Sequence, residues 1–445
     1  MISVSRRAMV GVTCLGLILT ACAGQPVSQP SGMSGGAGGG GEVTFRSWSP
    51  IAQTTAAMVE ATQAKEPGII IKSEIFNYPE YLVDLNTRAS SDTMPDIVGL
   101  QPGALTQQYR SKLMPLNDCA AKTWGENWKD KFHPIGLEQS LLGNPEGDEN
   151  YYTLPLLVQT VNLWQNDELM KEKGVATPKT WEELQKASAA FNGSGKAGFM
   201  LPAKDSWLRN VVFLQIANNV KPGLVYEAEV GKAKWTDEAV VKAFEHWQKL
   251  FTDKIAQDGA MALDAYPNGA NQFEAGGAAM IPLGAWWIQQ SDPAKTDAPP
   301  LSQGLKGFTP FLFPTIAGGA SESQLVGGVD VGLGISANTK NPDAACKVLT
   351  DWIAGAGAQV LINTFNDLPA VKGLEPEKFT SDHQKEVWDL MTTTWMPKVT
   401  YSRYLRTPDM DSALGDALAG LATGELTPDT AAQKVQAAQD AVLKK

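Results

Sequence analysis

The globular part of the chain begins with an alternation of strands and helices, and this alternation limits the fold more than any other feature. Residues 42–50 predict a strand rich in β-branched and aromatic side chains, residues 53–65 predict a helix, and residues 68–72 predict a buried strand. A second helix and a third strand follow within residues 80–99. Two strands joined by a helical crossover lie parallel in one sheet. The pattern therefore predicts an α/β protein.

Long extended segments follow this alternation further along the chain. Residues 152–164 predict a strand interrupted by Pro155, and residues 308–316 predict another. Segments of this kind could cross from one domain to a second. Between them, Thr180 and Glu183 have the spacing of a capping box, in which each side chain bonds the backbone N–H of the other residue. A helix is predicted to begin there.

The first 21 residues predict export. Arg6 and Arg7 precede thirteen uncharged residues, 8–20, a run too short for a helix across a membrane, which takes about 20 residues. The sequence then reaches Cys22, the residue that a bacterial lipoprotein signal would modify with lipid. An ordinary cleaved signal in which Cys22 is incidental is the alternative. The two arginines also suit a twin-arginine signal, so this route and the general secretory route both stay open.

Residues 22–41 predict a flexible tether. Residues 23–41 carry no charge and consist mostly of Gly, Ser, Pro, Ala and Gln. Such a segment buries too little apolar surface to offset its ordering entropy, and its length would let a folded body move about 25 Å from a membrane. With lipid on Cys22, the protein would be held at the outer face of the cytoplasmic membrane.

Length and charge limit the classes of function. About four hundred residues remain after the tether, enough for two or three sizeable cores. The formal net charge changes from −11 to −13 when Arg6 and Arg7 leave with the signal. Nucleic acids and anionic lipids select clusters of Lys and Arg, so they are not expected as partners. No stretch after the signal is apolar for long enough to cross a bilayer, so any transport pore must belong to another protein.

Cysteine and histidine usage predicts neither a metal site nor a cofactor. The three histidines, at positions 133, 246 and 383, lie far apart, and no C-x-x-C or H-x-x-x-H spacing occurs. Cys119 and Cys346 are the two cysteines left in the folded part. Outside the cytoplasm they could form a disulfide or remain buried thiols, and the sequence does not decide between these.

Several segments, in order along the chain, resemble one family. They resemble landmarks of the extracellular solute-binding lipoproteins (family 1) of carbohydrate ABC importers, the group that includes maltose-binding protein. Besides the lipoprotein signal and tether, the segments are residues 94–98, 113–118, 154–167, 178–184, 276–287, 327–328 and 338–349. Each segment alone is weak, but ordered agreement over about three hundred residues is specific.

The resemblance implies a two-lobe periplasmic-binding fold of type II, with a ligand cleft between hinge-linked lobes. Crossing strands would fall near residues 155–158, 311–315 and 353–368. The N-lobe would then comprise residues 42–156 with 312–358, and the C-lobe residues 157–311 with 359–445. Both remaining cysteines would lie in the N-lobe, which favours their pairing.

Sugar recognition accounts for the polar and aromatic residues that the resemblance places at the cleft. One face of a pyranose packs on an aromatic ring, and its hydroxyls need hydrogen-bond partners once water is removed. The chain has 13 Trp and three His, which suits sugar binding better than acid–base catalysis. Trp286, after the turn at Gly284, is the first candidate for stacking, and its alternative is core packing beside Trp287. Gln159, four residues after the crossing proline, is expected to face the cleft, with an exposed strand position as its alternative.

Further candidates come from strand ends and from the family pattern. Trp48 lies at the end of the first predicted strand and Gln101 in the loop after the third, and open parallel sheets bind ligands beyond the carboxyl ends of strands. The resemblance adds three further positions and one late pair to the candidates. These are Asp330, Asp205 and Trp207, with Arg403 and Tyr404 as late contributors.

The chain departs from the maltose-binding pattern at two of these positions. The acidic group of that protein is here the amide of Gln159, and the aromatic residue after the third strand is here Leu100-Gln101. A different sugar, or a different mode of binding, is therefore expected.

The predicted function is capture of a sugar or oligosaccharide by a monomeric, non-enzymatic protein. It would deliver the ligand to the transmembrane subunits of an ABC permease driven by a cytoplasmic ATPase, because the chain has no phosphate-binding G-x-x-x-x-G-K-[ST] motif of its own. The same fold could instead bind a glycerol phosphodiester or a polyamine. A secreted carbohydrate-active enzyme is the alternative of a different class, and it would need two carboxylates flanking the scissile bond.

Overall fold

The first two strands are parallel, joined by a helix, as the sequence predicts. A computed structural model describes residues 40–291, 307–365 and 367–444. In it, β1 (Gly41–Ser47) pairs in parallel with β2 (Ile69–Ile75) along its whole length, and α1 (Ala52–Lys65) connects them. β3 (Ile97–Leu100) pairs in parallel with the other edge of β1. The parallel α/β start is therefore confirmed.

Seven further strands lie in the described residues. They are β4 (Leu154–Asn166), β5 (Ala197–Phe199), β6 (Ala278–Gly284), β7 (Phe308–Phe311), β8 (Val326–Ile335), β9 (Leu368–Pro369) and β10 (Tyr401–Ser402).

Helices surround the strands and make up most of the chain after residue 340. After α1, the described helices are α2 (Tyr78–Ser90), α3 (Ala104–Tyr109), α4 (Asn117–Trp124), α5 (Pro134–Ser140), α6 (Asp167–Glu172), α7 (Trp181–Ala189), α8 (Ser206–Val220), α9 (Leu224–Glu229), α10 (Glu238–Thr252), α11 (Ala270–Glu274), α12 (Pro342–Ala354), α13 (Ala356–Asn363), α14 (Asp382–Asp389), α15 (Pro408–Ala422) and α16 (Pro428–Val442). Thr180 and Glu183 form both hydrogen bonds of the predicted capping box at the start of α7.

β4 connects two groups of strands. The sheet order is β2-β1-β3-β8-β4-β6-β5, with β7 and β9 also paired to β4 and β10 paired to β8. Residues 154–161 of β4 pair with β8, whereas residues 161–165 pair with β6 and residues 163–166 with β7. All thirteen residues of β4 are buried. One strand therefore belongs to two neighbouring parts of the sheet.

The predicted strand at residues 308–316 is wrong in its second half. Only Phe308–Phe311 is a strand. Pro314 has no N–H for a sheet ladder, and the N–H of Thr315 instead donates to the carbonyl of Lys179, 3.0 Å away. Residues 312–316 therefore leave β4 and connect to the start of α7.

Cys119 of α4 and Cys346 of α12 are bonded as a disulfide, with their Cα atoms 5.9 Å apart. The sequence left this pairing open. The bond fastens α12, which follows β8, to a helix that precedes β4 in the chain. It therefore ties together two segments separated by 227 positions.

The predicted signal and most of the tether lie outside the described residues. Among the residues that the structure does describe, no helix combines the length and apolar character needed to cross a membrane. Within the same residues, no group of three or more His, Cys, Asp or Glu side chains is arranged to hold a metal ion.

Candidate ligand-binding site

A cavity of about 320 Å³ lies beyond the ends of the first strands. One wall comes from Tyr78, which begins α2 after β2, and from the segment after β3 that begins with Gln101. The other lining residues come from α8 and α15 and from the segment after β10. The side chains that give the cavity its aromatic and hydrogen-bonding character are Tyr78, Gln101, Trp207, Asn210, Arg403 and Tyr404.

Four of the predicted site residues line this cavity. They are Gln101, Trp207, Arg403 and Tyr404. They come from three distant parts of the sequence, so only the folded chain brings them together.

Gln159, Asp330 and Arg403 form a buried polar cluster behind the cavity wall. The Gln159 amide Nε2 donates to Oδ1 of Asp330 at 3.1 Å, and the Arg403 guanidinium lies 3.7 Å from the same oxygen. The Tyr404 hydroxyl donates to the backbone carbonyl of Asp330. Burial raises the pKa of the Asp330 carboxyl, whereas the charge of Arg403 and the hydrogen bond from Gln159 lower it. The cluster therefore holds the one arginine of the cavity wall in place from behind.

Two atoms of this cluster have no hydrogen-bond partner in the described structure, Oε1 of Gln159 and Nε of Arg403. Asp367 adds a third such atom, its Oδ2, and is fully buried beside β9. Burial raises the pKa of Asp367 well above its usual range, and the charge of Asp330 acts in the same direction. Buried polar atoms without partners are costly unless a ligand or water satisfies them. The cluster and Asp367 therefore have three polar atoms left to form hydrogen bonds with a ligand or a water molecule.

Trp286 lies next to this cluster rather than in the cavity lining. Its ring lies 5.2 Å from the Arg403 guanidinium and 6.1 Å from the ring of Trp207. Its indole N–H donates to the hydroxyl of Tyr266 at 2.8 Å. A side chain at Gly284 would collide with the Trp286 ring at 1.9 Å, so a glycine is required where the chain leaves β6.

Trp287 packs deeper in the same core than Trp286. Its ring packs against Trp164, Phe273 and Phe308 at 4.9–5.5 Å, and it is 1% exposed. Both tryptophans are thus buried in the core, and Trp286 also contacts the cavity-lining residues Arg403 and Trp207.

Trp48 and Asp205 support the site without lining it. The ring of Trp48 packs edge-on against Tyr78 at 5.0 Å, and the Tyr78 hydroxyl donates to Oε1 of Gln101 at 2.6 Å. Asp205 precedes α8, and its Oδ2 accepts from the N–H of Ala265 at 2.8 Å. Asp205 therefore holds the segment that carries Tyr266, instead of facing the cavity.

The sequence predictions missed several residues of the site. Tyr78 lies three residues after the end of β2, so the rule that selected Trp48 and Gln101 would also have found it. Asn210 and Asp411 lie within helices and Asp367 lies in a connecting segment, and no local pattern marks any of them.

The cavity lies between the segments that follow β2 and β3 on one side and α8, α15 and the segment after β10 on the other. This fold and this cavity are typical of the class of proteins that bind a small polar ligand. The chain belongs to the family of bacterial extracellular solute-binding proteins, whose model matches residues 48–360.

Two characterised relatives are similar along most of the chain. The multiple sugar-binding protein of Streptococcus mutans is 23% identical over 337 residues, covering 73% of this chain and 74% of the relative. The galactooligosaccharide-binding protein of Bacillus subtilis is 23% identical over 381 residues, covering 83% of each chain.

Solved structures support the fold independently. A chitin oligosaccharide-binding protein superimposes with a TM-score of 0.74 at 23% identity, covering 91% of this chain and 99% of the other. The maltose/maltodextrin-binding domain of Bdellovibrio bacteriovorus, bound to maltotriose, gives a TM-score of 0.66 at 19% identity and covers 91% of this chain. The two-lobe α/β fold of extracellular solute-binding proteins is thus confirmed.

Proposed function

We propose that this protein captures a sugar or an oligosaccharide and delivers it to an ABC importer. The observation that carries the proposal is the cavity, where the rings of Tyr78, Trp207 and Tyr404 surround the polar groups of Gln101 and Arg403. Aromatic rings suit the C–H face of a pyranose, and the polar groups suit its hydroxyls. The sugar-binding relatives support the same ligand class.

Ligand capture in this proposal involves closure of two lobes around the cleft. The proposed N-lobe is residues 42–156 with 312–358, and the proposed C-lobe is residues 157–311 with 359–445. The division of β4 between two groups of strands supports a crossing close to its middle. Closure would bring Tyr78 and Gln101 toward Arg403 and Tyr404.

The proposed location is the outer face of the cytoplasmic membrane, with a lipid on Cys22 and residues 22–41 as the tether. The proposed partners are the transmembrane subunits of an ABC permease, which the monomeric protein would reach by moving on its tether. Substitution Cys22→Ala tests this location, because the variant should appear in the soluble fraction while the unchanged protein stays with the membrane.

Thermal unfolding with a ligand panel tests the binding function. The residues from 40 onward make one compact unit, so the chain can be studied from residue 23, with mono- and oligosaccharides, polyamines and glycerol phosphodiesters. A ligand at 100 times its Kd adds about 2.7 kcal/mol to the native state, which shifts the melting midpoint by about 3 °C in a chain of this size. The expected result is a shift with one sugar and not with its epimers.

Two tryptophan variants locate the binding. Trp286→Ala should weaken the sugar-induced shift, because the ring supports Arg403 and contacts Trp207. Trp124→Ala is the matched control, since Trp124 packs on Phe132 in a different part of the molecule. A shift with polyamines or phosphodiesters alone would overturn the ligand class, and release of reducing sugar from an oligosaccharide would favour the enzyme.

A further inference from the structure

The charges on the cavity wall are unbalanced. Among the described residues that line the cavity, Arg403 is the single cation, and it is already paired with Asp330 at 3.7 Å. Two lining carboxylates, Asp411 and Asp416, both belong to α15. The wall therefore carries negative charge that no lining cation neutralises.

Asp411 is the inner of these two carboxylates. Its Oδ1 accepts a hydrogen bond of 2.9 Å from the Asn210 amide, and it forms no ion pair with any described residue. Burial raises the pKa of the Asp411 carboxyl, and the hydrogen bond from Asn210 lowers it. The other amide atom of Asn210, Oδ1, is buried and has no partner in the described structure. Two acceptor groups thus lie side by side on the cavity wall.

Asp416 lies five residues further along α15 and is exposed. It has no hydrogen bond and no ion pair among the described residues. The charge of Asp416 raises the pKa of the Arg209 guanidinium, whereas burial, the larger effect, lowers it. Arg209 donates its hydrogen bonds to the backbone carbonyls of three other residues, at 2.7–3.2 Å. Those carbonyls belong to Ala203, Lys204 and Gly415.

We define Asn210, Asp411 and Asp416 as the acceptor end of the cavity. We propose that the acceptor end selects saccharides that present uncharged or positively charged hydrogen-bond donors, and that it rejects uronates and sugar phosphates. This inference rests on the proposed function and names the substrate class of the same site. Hydroxyl and ammonium groups share the required chemistry, since both donate and neither carries negative charge.

The physical reason lies in the cost of placing like charges together. A ligand carboxylate or phosphate at this end would lie beside two carboxylates and the unpaired amide oxygen of Asn210. The guanidinium of Arg403 is held by Asp330 behind the wall, so an anion would have to compete with that pair. A donor group instead satisfies the buried oxygen of Asn210, which otherwise has no partner.

Isothermal titration with matched trisaccharides tests the inference on the chain from residue 23. The probes are neutral maltotriose, cellotriose, xylotriose and chitotriose, the amino trisaccharide of chitosan, and trigalacturonate, with glucose 6-phosphate beside glucose. The expected result is binding of at least one neutral or amino saccharide. Every acidic probe should bind about tenfold more weakly than that saccharide, or not at all.

Three variants assign the selection to the acceptor end. Asp411→Asn retains an oxygen for Asn210, and Asp416→Asn removes a charge that makes no bond, so neither change threatens the fold. Each should reduce the ratio between the Kd of the acidic probes and the Kd of the neutral probes by about threefold or more. Asp409→Asn is the matched control, because it removes an exposed charge from the same helix outside the cavity lining. It should leave the ratio of the two Kd values unchanged.

The outcomes separate the inference from the proposed function. Equal or tighter binding of an acidic saccharide would overturn the inference while sugar capture would stand. An unchanged ratio of acidic to neutral Kd in both Asp411→Asn and Asp416→Asn would also overturn the inference. If no saccharide of any charge binds, sugar capture itself fails and the inference fails with it.

Discussion

Gln159 is the residue at which this chain departs from the acidic pattern of maltose-binding relatives, and the structure explains why an acid would be unfavourable here. The amide donates to Asp330, and both side chains are buried. Substitution Gln159→Glu would replace the donor with a second carboxylate beside the first. We expect a loss of about 1–3 kcal/mol in unfolding free energy at pH 8, measured by urea denaturation.

The pH dependence of that variant provides its own control. A glutamate beside Asp330 would have a raised pKa in the folded state, so the destabilisation should shrink as the pH falls toward 5 and the proton returns. Gln159→Met removes the donor without adding charge. The loss of unfolding free energy in Gln159→Met should not vary with pH in this way. Equal pH profiles for the two variants would contradict the explanation that a second carboxylate beside Asp330 causes the loss.

Glu229 is a buried carboxyl with a direct connection to the site. Its Oε1 accepts from the N–H of Arg406, 2.8 Å away, just after the segment that carries Arg403 and Tyr404. Burial raises the pKa of Glu229 to about 7, and the hydrogen bond from Arg406 acts in the opposite direction. A carboxyl whose pKa is higher in the folded than in the unfolded state binds more protons when folded, so stability falls as the pH rises through that window.

Substitution Glu229→Gln should therefore flatten the dependence of stability on pH. Between about pH 4.5 and about pH 7 the unchanged protein should lose on the order of 3 kcal/mol relative to the variant. Urea denaturation at several pH values measures this. Glu227→Gln changes an exposed residue of the same helix and should retain the dependence of unfolding free energy on pH. If Glu229→Gln retains that dependence as well, Glu229 is not the group that causes it.

At the scale of elements, the capping box of α7 is a local signal that sequence and structure share. Thr180→Ala removes the hydroxyl that accepts from the N–H of Glu183. We expect a loss of about 0.5–2 kcal/mol in unfolding free energy, measured by urea denaturation. Thr236→Ala serves as the control, because Thr236 is exposed, precedes α10 and makes no hydrogen bond with a described residue. It should be close to neutral.

Elements were predictable where their cause lies within a few residues. The parallel order of β1, β2 and β3 follows from short crossover helices, and the helix start at Thr180 follows from side chains three positions apart. The end of β7 was mispredicted, because the course of residues 312–316 depends on a hydrogen bond to Lys179, far away in the sequence. The insertion of β8 between β3 and β4 likewise has no local signal.

The same distinction applies to the site. Gln101 was identified from the rule for strand ends, and Trp286 from its glycine turn together with the family resemblance. The stacking of Arg403 on Trp286 joins segments that are distant in sequence, so its geometry needed the structure. Asn210, Asp411 and Asp367 are polar residues without a distinguishing neighbour pattern. Burial and a missing partner mark Asn210 and Asp367, whereas Asp411 is marked only by its place in the cavity lining.

At the scale of the whole molecule, the disulfide joins segments that are 227 positions apart. A cross-link over such a long loop restricts the unfolded chain strongly. The double variant with Cys119→Ser and Cys346→Ser should unfold at lower urea concentration, with a loss of about 2–5 kcal/mol. A reducing agent should lower the midpoint of the unchanged protein in the same direction and leave the double variant unaffected. Equal midpoints of the two oxidised proteins would contradict the cross-link.

The position of β8 also has a consequence for how the protein is made. β8 is the strand that joins β3 to β4, yet the ribosome synthesises it only after β6 and β7. Until residue 335 has emerged, the edges of β3 and β4 that β8 will cover remain unpaired, and unpaired edges invite pairing with other chains. The nascent protein therefore cannot complete its sheet during most of its translation. In the proposed export of this protein, a translocase that takes unfolded chains would have that whole interval in which to engage it.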